Sequence, residues 1–247
     1  MKLLVDIGNT NLHFLAIKSE EEYEYLVCDK HKLSELSSLI EEKSQVYISS
    51  VNQDNLDALL NILKSKNIDF IKYIKPVDFV ERIAELNIAI PNLNFLAPDL
   101  FLDVLGMDKS TLVADFGTAA KYLFLNKNGE FKGGTLGMGL KSTNKALADS
   151  TDLLEEYNLE VPDTFISLNT KDAINIDTIF GSANKLISLY RLIKKEYNEP
   201  KLKLVITGRD AGIIEKAFER LEFEEYTLDK LHTFKGMIKA LNLKLDI

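Results

Sequence analysis

Two α/β domains of common design, each a mixed sheet flanked by helices, are the fold this sequence predicts. The first observation is a repeat. An apolar strand ending in Asp, a glycine turn with Thr, and a second strand occur at Asp6-Ile7-Gly8-Asn9-Thr10 and again at Asp115-Phe116-Gly117-Thr118, about one domain apart. The second is order: each copy leads into alternating helical and strand segments, the pattern of a mixed sheet with helical crossovers. The third is bulk, because 247 residues of which 46% are hydrophobic can fill two cores. The border falls just before the second Asp strand, giving domains 1–110 and 111–247.

Lys2 to Val5 is a short apolar run, and Leu12 to Ile17 is rich in β-prone residues. Between them Asp6 to Asn11 makes a tight turn in which Gly8 relieves the backbone. Glu22 to Cys28 alternates well enough for a third strand. Lys32 to Lys43 has helical spacing, Val46 to Val51 reads as a buried strand, and Asn55 to Lys66 is a leucine-rich helix. A strand over Phe70 to Ile74, a short helix over Val77 to Leu86 and an extended stretch over Asn87 to Phe95 follow. Leu100 to Met107 has helical character.

In the second half, Thr111 to Asp115 and Tyr122 to Leu125 are strands joined by the repeated turn. Gly133-Gly134 and Gly137-Met138-Gly139 predict a glycine-rich bend before a helix over Ser142 to Ala148. Asp172 to Tyr197 is long and largely helical, with a poor helical segment at Asn175 to Thr178. Lys203 to Ile206 is a strand ending at Thr207-Gly208-Arg209-Asp210-Ala211. Helices are expected over Ile213 to Leu221 and Asp229 to Leu243.

Charge and composition exclude several functions. Lys and Arg total 30 against 38 Asp and Glu, a formal net charge of -8, and no dense basic run supplies a nucleic-acid footprint. An acidic chain exerts no general pull on anions, so a phosphate site has to be local. Cys28 is the only cysteine, which rules out an intramolecular disulfide and a cysteine-based zinc site. His13, His31 and His232 lack metal-ligand spacing. The N-terminus turns polar too soon for a signal peptide, and no apolar run approaches a membrane span. A cytoplasmic protein without nucleic-acid or membrane partners is the expectation.

The turns suit phosphoryl transfer, which needs donors around phosphate oxygens, a carboxylate for a metal ion and a base near the attacking hydroxyl. In Asp6 to Asn11, Gly8 allows close backbone approach, Asn9, Thr10 and Asn11 bring short polar groups, and Asp6 can face a hydrated Mg²⁺. Asp115, Gly117 and Thr118 repeat that equipment, on the facing wall of a cleft if the duplicated domains oppose one another. Gly208, at a strand-to-helix junction, is a further candidate for contact with nucleotide; a plain glycine turn is the other reading of it.

These motifs in this order, with Asp-x-Gly-Asn-Thr first, Asp-x-Gly-Thr-Ala second, Gly-Gly after it and Thr-Gly-x-x-Ala near the end, resemble type III pantothenate kinases over nearly the whole chain. The resemblance implies the duplicated RNase H-like domains of the actin-like ATPases. It implies ATP bound at Asp6, Gly8, Asn9, Thr10 and Thr118, a monovalent cation (K⁺ or NH₄⁺) at Asp115, pantothenate as acceptor, and a homodimer. In that family a Gly-x-Asp-Arg segment opens a helix and its Asp is the general base. Two placements compete. Gly106-Met107-Asp108-Lys109 leaves no room for a helix before Thr111, whereas Ala97-Pro98-Asp99-Leu100 puts Asp at a helix start, so Asp99 is the candidate base and Ala97, Pro98, Asp99 and Leu100 the candidate acceptor contacts. A helix cap is the commoner use of such an Asp. Thr170, after Asn169, matches a residue that binds pantothenate across a dimer interface.

Three departures stand out. Leu100 replaces an arginine, and no aliphatic side chain replaces a planar five-donor group. Ala120-Lys121 stands where the family has a polar pair; Lys121 reads either as a substitute positive charge or as a solvated strand lysine. Met138-Gly139 replaces Pro-Gly. A nucleotide-binding accessory or regulatory protein on the same fold, with weak or no kinase activity, is therefore the alternative function. A phosphatase or general ATPase is a more distant one.

Overall fold

The structure, a computed structural model, describes residues 1–29, 31–33, 40–245 and 247. The chain forms two compact units, Met1–Gly106 with Leu231–Ile247, and Met107–Lys230.

The first unit is built on a five-stranded sheet of order β3-β2-β1-β4-β5. Its strands are β1 (Lys2–Ile7), β2 (Asn11–Ile17), β3 (Tyr23–Asp29), β4 (Gln45–Ser50) and β5 (Ile71–Tyr73). β1 pairs antiparallel with β2 and parallel with β4. It is the central strand, so it needs apolar residues on both faces, and this is why it reads as an unbroken apolar run rather than an alternation. Leu3, Val5 and Ile7 point to one face, where they join Leu59 and Leu63 of α1 (Gln53–Ser65). Leu4 points to the other, against Phe101, Leu102 and Leu105 of α3 (Pro98–Gly106) and Phe234 and Met237 of α8 (His232–Ala240). The short helix α2 (Val80–Glu85), preceded by a 3₁₀ turn at Pro76–Phe79, adds Phe79 and Ile83 to the same core. Half of the helix expected over Lys32 to Lys43 falls on residues outside those described.

The second unit repeats the design with a sheet of order β10-β9-β6-β7-β8. Its strands are β6 (Thr111–Phe116), β7 (Ala119–Leu125), β8 (Phe131–Met138), β9 (Lys203–Thr207) and β10 (Thr227–Leu228). β6 pairs antiparallel with β7 and parallel with β9, as β1 does with β2 and β4. The two sheets therefore have one topology. Helices α4 (Leu140–Asp149), α5 (Thr170–Asn175), α6 (Gly181–Glu196) and α7 (Ala211–Arg220) complete the unit. Its core joins Leu112, Ala114 and Phe116 of β6 to Leu186 and Tyr190 of α6 and Ile214 and Phe218 of α7.

Three elements depart from the sequence expectation. Gly133, Gly134 and Gly137 lie not in a bend but in β8, paired with Phe124, Leu123 and Ala120 of β7; cross-strand hydrogen bonds override the poor β-propensity of glycine. The poor helical segment at Asn175 to Thr178 becomes a π turn over Ile176–Phe180, so α5 and α6 continue one another through a widened turn. Leu231–Ile247 belongs with the first unit, although it is contiguous in sequence with the second. There α8 crosses α3 closely enough that a Cβ on Gly236 would stand 1.9 Å from the Leu102 carbonyl oxygen.

Candidate active site

The first-unit turn is shaped by its own hydrogen bonds and by the start of α1. The Gly8 amide donates to the Asn11 carbonyl at 3.0 Å, closing the hairpin. Asn55 donates from its side chain to the Gly8 carbonyl at 2.9 Å, and Asn52 donates to Asn9 Oδ1 at 3.3 Å. Asn52 is also the N-cap of α1, accepting from the Asn55 amide at 2.9 Å. The cap of one helix thus braces the tip of the hairpin, and Asn9 and Thr10 are left exposed.

Asp6, half-buried at the end of β1, accepts from the Ser49 hydroxyl at 2.9 Å through Oδ1. Ser49 stands directly beside it on β4. His13 faces Asp6 across the β1–β2 pair, and its Nδ1 lies 2.8 Å from the Tyr25 hydroxyl. Burial, with the Asp6 charge as a smaller cause, pushes the Tyr25 phenol up to about 12. Tyr25 therefore stays neutral and available as a donor at ordinary pH.

The second-unit turn carries a different feature. Asp115 and Lys121 are opposite one another across β6 and β7, and their charged groups meet at 2.5 Å. Only 12% of the lysine and 14% of the aspartate side chain is exposed. Lys121 is therefore not a solvated strand lysine. The other Asp115 oxygen packs against Gly208: a Cβ there would stand 2.2 Å from Oδ1 and 2.7 Å from the Phe116 amide nitrogen. Gly208 also has φ +91°, a backbone state that side chains resist. The Asp210 amide donates to the Phe116 carbonyl at 2.9 Å, locking this junction to the end of β6. Arg209 forms a two-point pair with Asp210 at 2.8 and 3.1 Å, which raises the guanidinium pKa above its usual range. Gly117 closes the hairpin by donating to the Ala119 carbonyl, and the exposed Thr118 uses its carbonyl to accept from Gly139 and Ser142.

Asp99 sits in the first turn of α3, one residue after Pro98. Proline suits that first helical position because its missing N–H has no partner there in any case. One Asp99 oxygen accepts from the Leu100 amide at 2.9 Å. Ala97, Pro98, Asp99 and Leu100 are all half-buried. Asp108, the competing placement, pairs with Lys203 at 3.0 Å on an exposed surface outside any helix. Thr170 opens α5 behind its Asn169 cap and is exposed. It lines a groove of about 410 Å³ with Thr143, Leu147, Leu154, Ile174 and Asp177. Asp6, Gly8, Asn9, Thr10 and Asn11 thus share one hairpin, and Asp115, Gly117, Thr118 and Gly208 one strand-end cluster, whereas Asp99 and Thr170 each occupy a helix start.

Ser49, Asn52, Asn55 and Tyr25 are site neighbours that the sequence did not single out. Asn52 ahead of a helical run carries a cap signal; Asn55 is brought in by the docking of α1, and Ser49 and Tyr25 by strand pairing.

A sheet duplicated with one topology, bearing an acidic hairpin at the same place in each copy, defines the actin-like ATPase class of fold. Two solved structures share it. A Campylobacter jejuni protein described as a conserved putative Baf family transcriptional activator aligns with a TM-score of 0.63 at 20% identity, over 97% of both chains. The ethanolamine utilization protein EutJ of Carboxydothermus hydrogenoformans aligns with a TM-score of 0.51 at 14% identity, over 97% of this chain and 89% of that one. At such identities the likeness speaks for the fold alone. Family follows from sequence: residues 2–191 match the sequence model of the type III pantothenate kinases, and the chain belongs to that family. The type III pantothenate kinase of Agathobacter rectalis is 26% identical over 251 residues, covering 96% of this chain and 95% of that protein. That of Borrelia hermsii is 26% identical over 230 residues, covering 87% and 84%.

Proposed function

We propose that this chain transfers the terminal phosphoryl group of ATP to the hydroxyl of pantothenate, giving 4′-phosphopantothenate on the route to coenzyme A. The observation that carries this reading is the family match over residues 2–191. The two acidic hairpins at equivalent positions of duplicated sheets support it.

In this reading the Gly8–Asn11 turn binds phosphate oxygens through backbone N–H groups and short polar side chains, as do Gly117, Thr118 and Gly208 in the second unit. Asp99 takes the hydroxyl proton while the acceptor oxygen bonds to the terminal phosphorus and the bond from that phosphorus to the ADP oxygen breaks. Ala97, Pro98 and Leu100 line the acceptor beside Asp99, and Thr170 contacts the acceptor of the partner subunit across the dimer interface. Leu100 offers the acceptor carboxylate no charge, so this part of the site selects by shape.

Mg²⁺ fits the residues present. Asp6 is a half-buried hard oxygen donor steadied by Ser49, and among the described residues no group of three or more His, Cys, Asp or Glu makes an all-protein cage. One carboxylate with phosphates suits a largely hydrated Mg²⁺, which when bound neutralises phosphate charge. A K⁺ or NH₄⁺ ion at Asp115 does not fit, because Lys121 already engages that carboxylate. A homodimer belongs to the same reading, supported by apolar side chains that the second unit leaves exposed, among them Leu136, Leu153, Ile166 and Leu168.

A coupled assay of ATP consumption with and without pantothenate tests the function. ATP loss is expected only with pantothenate, and Asp99→Asn should lower turnover about 10²–10⁴-fold with nucleotide binding kept. ATP loss indifferent to pantothenate would overturn the kinase reading; undiminished turnover by Asp99→Asn would remove Asp99 as base.

A further inference from the structure

We infer that Lys121 is a tethered cation for Asp115, its ammonium taking the place of a K⁺ or NH₄⁺ ion, so that turnover needs no monovalent cation. The inference rests on the kinase reading above and deepens it at one site.

The geometry argues for replacement rather than an incidental ion pair. Lys121 and Asp115 are cross-strand partners on the same sheet face, so the lysine reaches the carboxylate without leaving its strand. The groups meet at 2.5 Å with 12% and 14% of their side chains exposed, a charge-assisted contact largely out of water. The second carboxylate oxygen is walled by Gly208 and the end of β6. A further cation at this carboxylate would stand beside an ammonium of like charge in a poorly solvated place, which disfavours it strongly. Chemically the substitution is close: a lysine head is an ammonium with three N–H donors, the same group as NH₄⁺ with one proton replaced by a carbon tether. The tether makes occupancy independent of ion concentration. It also keeps a positive charge at the base of the Gly117–Thr118 turn, where polyphosphate charge is to be balanced.

The test is a salt series at equal ionic strength, comparing tetramethylammonium, Na⁺, K⁺ and NH₄⁺ chlorides. Wild-type pantothenate-dependent ATP consumption is expected to agree within about twofold across the series, since matched ionic strength leaves general screening unchanged. Lys121→Thr, checked for folding by circular dichroism, is expected to lose about 100-fold in tetramethylammonium and to regain activity in K⁺ or NH₄⁺. A wild type that requires K⁺ or NH₄⁺ overturns the inference, and that arm stands even if the variant does not fold. A folded variant equally impaired in all four salts also overturns it. The ATP-induced shift in melting temperature, measured in the same salts without pantothenate, separates this failure from that of the kinase reading. A salt-indifferent wild-type shift and a K⁺-dependent variant shift uphold the tethered cation even if pantothenate proves not to be the acceptor.

Discussion

Each oxygen of Asp115 has its own neighbour: Oδ2 meets the Lys121 ammonium and Oδ1 rests on Gly208. The carboxylate is held from both sides, and Gly208 is the residue that permits it. Gly208→Ala puts a methyl group 2.2 Å from Oδ1 and 2.7 Å from backbone atoms of Phe116, at φ +91°. Backbone does not yield as a flexible side chain does. The expected cost is about 2–4 kcal/mol from overpacking and left-handed strain together, read by urea unfolding, with nucleotide affinity lowered in parallel. A variant as stable as the wild type would mean that the junction shifts freely. At this scale the types of Asp6, Gly8, Thr118 and Gly208 were legible, because turns with acidic and glycine residues announce themselves locally. Ser49 and Tyr25 were not, since neither carries a local mark and only pairing of distant strands brings them to Asp6. Lys121 reads two ways from the sequence, and its pairing with Asp115 across β6 and β7 excludes the solvated one.

Elements show the same division. α1 and α3 lie close to their expected places because an N-cap asparagine, an initial proline and apolar spacing are local signals. The interruption at Asn175 to Thr178 was visible as weak helix propensity, but its resolution as a π turn depended on packing on both sides. The glycines of β8 argue locally for a bend until a neighbouring strand supplies the ladder. α8 reads as a helix from its own residues, but it packs with the first unit rather than the second. Its apolar face meets β1, β2 and α3, where Phe234 is 2% exposed and edge-on to Tyr25 at 5.9 Å. Phe234→Ala should therefore destabilise the first unit by about 3–5 kcal/mol, seen as a lower urea midpoint. A loss below about 1 kcal/mol, typical of a surface site, would show that α8 contributes little to that core.

For the molecule as a whole, the duplicated topology is the organising fact, since each sheet carries one acidic hairpin beside its central strand. The second unit also exposes Leu153 at 91%, Ile166 at 86% and Leu168 at 108%, more apolar surface than an isolated subunit gains from leaving bare. Sedimentation of the intact chain is expected to give a dimer, and Leu168→Asp to shift the equilibrium to monomer. A wild type that stays monomeric at high concentration would refute the dimer.

Sequence alone determined the α/β class, the duplication, the two acidic glycine turns and the resemblance to a kinase family. All of these are written in short segments whose residue types act on their own backbone. Tertiary structure alone decided that the last helix returns to the first unit, that glycine-rich residues 133–137 form an edge strand, and that a lysine sits on Asp115. Those outcomes turn on contacts between residues far apart in the chain, where pairing register and helix docking, rather than local propensity, choose the neighbour.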